Sequence, residues 1–217
     1  MDSAKLSVDM GDLGTIAFDQ GSGSGLANYD DMTPSANEEV WDGLDTSASG
    51  LVGTLGSSGR IQYVKQLDAV KIDAAFGTGS SANNADGATS GSGEGGGYSV
   101  GLLISGDTVG VDGLSLGGGY GETEAGAGNN DVEDMAIFAT YAMGSVSVGL
   151  QRNDISGGAA GATETQADIY SIAFNVNENI AISYGEKNTD FTSSTAASVE
   201  EEVDGVGVSF TMGSMKI

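Results

Sequence analysis

Apolar residues recur at every second position through most of the chain, the period at which a β-strand shows a single face. Leu6, Val8 and Met10 are followed, after a break at 11–13, by Ile16 and Phe18. Ile61 and Tyr63 lead, across a break near Asp68, into Val70, Ile72, Ala74 and Phe76. The same plan returns with Tyr98, Val100, Leu102 and Ile104, then Leu114, Leu116 and Tyr120. It returns again with Met135, Ile137, Ala139, Tyr141 and Met143 before Val146, Val148 and Leu150. Tyr170, Ile172, Phe174 and Val176 precede Ile180, Ile182 and Tyr184, and Val206, Val208, Phe210 and Met212 form the last full row. The alternation predicts eleven strands and the beginning of a twelfth at the C-terminal end.

Short and long connections alternate. Breaks near residues 12, 68, 108, 144, 178 and 213 are tight, whereas those after Gln20, Gly77, Gly121, Asn153 and Lys187 read as long. An up-and-down sheet with one smooth rim and one elaborated rim produces that rhythm. The face opposite the apolar row is small or polar, as in Ser99, Gly101 and Ser105 or Ser171, Ala173 and Asn175. Such a face cannot make a hydrophobic core. Aromatics such as Phe18, Tyr63, Phe76, Tyr98, Tyr120, Tyr170, Tyr184 and Phe210 fall on the apolar row, many towards strand ends, as in the aromatic girdles of a membrane barrel. Phe138 breaks this parity.

The longest connection, 21–58, holds the only Pro (Pro34), the only Trp (Trp41) and six acids, with no Lys or Arg. A connection of that length inside a compact domain is usually functional. Composition narrows the chemistry. Seven basic against thirty-one acidic residues give a formal net charge of −24, which repels nucleic-acid phosphates. Without Cys or His there is no disulfide framework, thiolate metal site or imidazole base. The segment 91–96 matches a dinucleotide-binding glycine pattern by letter, but strand alternation follows it instead of a helix. Paired carboxylates such as Glu38 with Glu39 are adjacent in sequence, so on a strand they would point to opposite faces. No enzyme is expected, and no cofactor. No calcium-binding loop motif is present, which leaves only a weak Ca²⁺ site among Asp30, Asp31 and Glu38 as an option.

The stretches GDLGTIAFDQG, NYDDM, RIQYVKQLDAVKIDAAFG, VDGLSLGGGYGE and DMAIFATYAMGSVSVGLQ together resemble a Gram-negative general porin of the alphaproteobacterial type. That resemblance implies an all-β, transmembrane, antiparallel up-and-down β-barrel of the sixteen-stranded, usually trimeric porin kind. It implies a single domain over 1–217, incomplete at both ends, by roughly three strands before Met1 and one or two after Ile217. The insert at 21–58 would be the loop that folds inward and narrows the pore. The expected function is passive diffusion of small hydrophilic solutes and ions through a water-filled, cation-favouring channel in the bacterial outer membrane. The partners would be membrane lipid, two further copies in a homotrimer, and the permeating solutes and cations. The other reading open to the sequence is a soluble secreted β-domain, an adhesin or lectin-like binding module.

Rings of acidic side chains favour cations, and opposed acidic and basic walls set up a transverse field. Asp30, Asp31, Glu38, Glu39 and Asp42 are the candidate acidic wall. Strand parity assigns Lys5, Arg60 and Lys71 to the small-residue row with Asp9, Asp19, Gln62 and Asp73, which makes those three the candidate basic wall. Arg152 has the parity of the apolar row but lies beyond Leu150, where an interfacial position is expected.

Overall fold

The computed structural model describes residues 4–20, 25–41, 60–77, 96–125, 128–212 and 215–216. These residues form one antiparallel sheet in which every strand pairs with its sequence neighbours. The strands are β1 (Ala4–Asp9), β2 (Thr15–Gln20), β3 (Arg60–Leu67), β4 (Val70–Gly77), β5 (Gly97–Ser105) and β6 (Leu114–Thr123), followed by β7 (Asn130–Met143), β8 (Val146–Gly158), β9 (Thr163–Asn175), β10 (Ile180–Ser193), β11 (Val199–Met212) and the short β12 (Met215–Lys216). Among the described residues β1 and β12 are the two edges, and nothing pairs them. Residues 91–95 of the glycine-rich match at 91–96 and the candidate Asp42 lie outside the described residues.

Register keeps the two faces distinct across the whole sheet. Ile182 sits opposite Phe174 on one side and Val208 on the other, and Tyr184 opposite Ile172 and Val206. A slip of one residue would exchange the faces, so the alternation itself pins the pairing. The tight connections need backbone in the left-handed region. Gly144 (φ 61°) turns β7 into β8, and Asp68 (φ 47°) turns β3 into β4, Asp being one of the few residues with a side chain that tolerates that region.

The burial is the reverse of that in a water-soluble protein. Leu6, Val206 and Val208 are 71%, 69% and 62% exposed, and Ile137, Leu150 and Tyr170 more than half exposed. On the opposite face Gln62, Asp73, Gln151, Asn153, Ser183 and Thr189 are buried. A secreted β-sandwich would turn the apolar row towards a second sheet. Here the single sheet leaves that row uncovered over its full width, far beyond the scattered apolar residues normal on a soluble surface.

Three of the connections expected to be long are hairpins of extended strands. β8 runs to Gly158 and β9 begins at Thr163; β10 runs to Ser193 and β11 begins at Val199; β6 and β7 are separated only by 124–129. The ladder continues past the apolar band through pairs such as Asp190 with Glu200 and Thr189 with Glu201, where polar side chains on both faces erase the period-two signal. β7 to β11 are 13 or 14 residues long, which at roughly 3.3 Å per residue gives about 43–46 Å. That exceeds the 9–11 residues a tilted strand needs to cross a bilayer. Arg152 lies on this outer extension and makes a bidentate pair with Asp168 across the β8–β9 ladder, both bonds 2.6 Å. No helix among the described residues is long and apolar enough to cross a membrane, which says nothing of a crossing by strands.

Candidate functional site

Residues 25–41 of the long insert lie on the small-residue face and are bonded to it strand after strand. A 3-10 turn over Gly25–Tyr29 opens the segment. Asp73 on β4 accepts the Gly25 amide at 3.0 Å and the Asn28 side-chain amide at 2.6 Å, while Gln62 on β3 donates to both its oxygens at 2.9 and 3.1 Å. The Leu26 amide donates to Ser99 Oγ on β5 at 3.1 Å. Gln151 on β8 donates Nε2 to the carbonyls of Tyr29 (2.8 Å) and Asp30 (2.6 Å) and accepts the Met32 amide on Oε1 at 2.9 Å. Ser171 on β9 donates to the Pro34 carbonyl at 2.7 Å, and Ser183 on β10 accepts the Ala36 amide at 3.0 Å. Irregular backbone needs such partners wherever water is excluded, and here sheet side chains supply them.

The apolar residues of the segment fit where the sheet has no side chains. A Cβ on Gly101 would fall 2.1 Å from the Tyr29 ring, and one on Gly119 2.8 Å from Leu26. At Gly149 it would fall 2.4 Å from Pro34 Cδ, and at Gly185 within about 3 Å of Val40 and Trp41. The glycines that look destabilising in strands by propensity are therefore the space in which the segment sits. Phe138, the residue out of parity, stacks on Tyr29 with ring centroids 5.9 Å apart and fills the gap above Gly117. Trp41 packs with Ala167, Ile169, Val40 and Val203, and Leu26 with Ala136, so both buried apolar clusters join the segment to the sheet. Lys187 on β10 places its ammonium 5.7 Å from the Trp41 ring centroid, within cation–π range.

The candidate acids separate by exposure. Asp31 and Glu38 are exposed, Asp30 and Glu39 half-buried. Burial pushes the Asp30 carboxyl above its ordinary value, against the opposing pull of backbone hydrogen bonds. The Tyr29 phenol is pushed up to about 12 by burial and by the Asp73 charge, and among the described residues its hydroxyl has no hydrogen-bond partner. Of the candidate bases, Lys5 and Lys71 line one cavity of about 480 Å³ beside the segment, together with Ser7, Thr15, Asn28, Gln62 and Asp73. Arg60 is buried at the start of β3, in register with Asp19 and Gly77, and is not among the residues lining that cavity; nor are Asp30, Asp31, Glu38 and Glu39. Among the described residues no three carboxylates converge where a metal ion could be held.

No protein-family model matches the sequence, and no curated protein does. Solved structures do match by shape. The in-vitro folded OmpT, an outer membrane protein of Vibrio cholerae, superposes with a TM-score of 0.69 at 15% identity over 98% of this chain and 66% of its own. The loop L8 deletion mutant of the same protein gives 0.66 at 15% identity over 98% and 70%. A porin refined at 1.8 Å gives 0.62 at 17% identity over 94% and 69%. The fold is that of an outer-membrane β-barrel. At these identities the likeness is one of fold, and it accounts for the exposed aliphatic and aromatic rows, since such barrels turn an apolar face to lipid.

Sequence reasoning missed Gln151, Ser183 and Lys187 as partners of the insert. The signal was present in this β-barrel chain: strand parity, continued one step past Leu150 and Ile182 and three past Tyr184, places all three on the small-residue face. What parity could not supply was a reason to look there, because nothing local announces that a segment over a hundred residues earlier will cover them.

Proposed function

We propose that this protein is an outer-membrane porin of the general, alphaproteobacterial type, a water-filled channel for passive diffusion of small hydrophilic solutes and ions. The observation that carries the reading is the seating of 25–41 across the small-residue face while the opposite face stays apolar and exposed. In a barrel with lipid outside, that seat is the lumen wall, and the segment is the loop that narrows the passage. Passage through such a channel is set by radius and field and requires no catalytic group or cofactor.

The net charge of −24, with Asp31 and Glu38 exposed on the segment, favours cations over anions. The protein would reside in the bacterial outer membrane, and the porin likeness suggests a homotrimer. Purified protein in planar bilayers should give stepwise ohmic conductance, with a reversal potential in a KCl gradient that favours K⁺. Absence of any conductance refutes the channel, and a reversal potential of the opposite sign refutes the cation preference.

A further inference from the structure

The cavity beside the seat has a charge opposite to that of the chain as a whole. Its walls are the small-residue face of β1–β4, and among the described residues of the insert Asn28 lines it. Among its described lining residues two ammonium groups, Lys5 and Lys71, face it with one carboxylate, Asp73, and Asp19 stands opposite Lys5 in the β1–β2 register. Asp73 is fully buried, and its oxygens already accept from Gly25, Asn28 and Gln62. Lys71 Nζ stands 3.9 Å from Asp73 Oδ2, a long contact that leaves its protons free for another acceptor, and its side chain is 35% exposed. Ser7 and Thr15 add hydroxyl donors to the same walls. A volume of about 480 Å³ lies within the usual range for small-molecule sites.

We propose that this wall is an oxyanion subsite in the solute path, where a small hydroxylated solute bearing a carboxylate or phosphate pauses between Lys5 and Lys71. Ammonium groups bind such oxyanions by charge-assisted hydrogen bonds, and Ser7, Thr15 and Asn28 take the hydroxyls. The subsite rests on the channel reading, because it gives a solute class to one stretch of the proposed lumen. A channel that favours cations in bulk can hold a local anion site where the nearest acid is saturated by neutral donors. Cation preference is set by the summed field, whereas retention is set by contacts within a few ångströms.

The test is inorganic phosphate added to intact channels in bilayers at constant KCl. Phosphate should lower or interrupt the current in a saturable way. Lys5→Gln and Lys71→Gln should each weaken that block, by roughly 1.4- to fivefold, the range for losing one solvated charge contact. Lys65→Gln should leave it unchanged, since Lys65 pairs with Ile72 on the opposite, apolar row. Conducting channels that ignore phosphate, or a block that is equal in all three variants, overturn the subsite while leaving the channel standing. Protein that folds in detergent but never conducts overturns the channel reading instead. Lysine-dependent line broadening of the phosphate ³¹P signal then decides the subsite separately: its presence supports the subsite and its absence overturns it.

Discussion

Gln151 is the residue whose removal most directly tests how the insert is held. Its side chain satisfies three backbone groups of the insert at once, the carbonyls of Tyr29 and Asp30 and the amide of Met32. Gln151→Leu keeps the approximate volume, removes these three bonds, and leaves the Asp30 carbonyl only the longer bond from Asn153 Nδ2 at 3.4 Å. A buried polar group left unsatisfied costs about 1–3 kcal/mol. Tyr29 is buried, but Asp30 and Met32 are half-buried and can recover part of the loss from water. The sum is then roughly 2–5 kcal/mol. At about 1.4 kcal/mol per factor of ten, the seated state should lose at least roughly thirtyfold in population ratio. Amide hydrogen exchange on detergent-folded protein reads this locally, because protection follows the free energy of local opening. Met32 should exchange at least roughly thirtyfold faster, while the ladder amides of β7 to β9 keep their protection. Unchanged protection at Met32, with the variant folded, would refute the idea that sheet side chains hold the insert in place.

Other substitutions test the remaining parts of the structure. Gly149→Val improves strand propensity yet drives a side chain into Pro34, so the insert should loosen by about 1–3 kcal/mol while the strands unfold no earlier; denaturant titration and amide exchange separate the two. Burial raises the Asp30 carboxyl above its ordinary 3.8, so the seated segment binds that proton more tightly than the released one does. Seating should therefore be strongest below pH 3.8 and weaken as pH rises through the raised value. Asp30→Asn should remove this dependence and protect the segment at neutral pH, read by exchange at the two pH values. Val208→Lys, on the apolar face, should lower folding stability in lipid vesicles by about 2–4 kcal/mol, where the same change on a water-exposed surface stays within about 0.5. Chemical denaturation of the vesicle-inserted protein measures it.

The strands were legible because period-two apolar rows such as Val206 to Met212 are both the exposed apolar face of the sheet and the register code. Their outer ends were not, because beyond the apolar band pairs such as Asp190 with Glu200 carry polar residues to both faces and the period disappears. The small-residue face could be read as small and polar, but not as a seat. Gly101, Gly119 and Gly149 have the letters of flexible linkers, and only the three-dimensional meeting with Tyr29, Leu26 and Pro34 gives each one a reason. Phe138 illustrates the same limit. It breaks the strand pattern because its partner, Tyr29, lies on the insert and not in the sheet. Parity put Lys5 and Lys71 on the small-residue face, yet gave no means of foreseeing that Asn28 and Asp73 would share a cavity with them.

The proposed inward position of the insert can be tested with a single cysteine, since the chain has none of its own. Asp31→Cys places a thiol at an exposed position of the segment. Channels reconstituted in bilayers should drop to a lower conductance in discrete steps when a bulky methanethiosulfonate reagent is added, and return when a reductant removes it. Complete labelling with no change in conductance would contradict an insert that lines the passage.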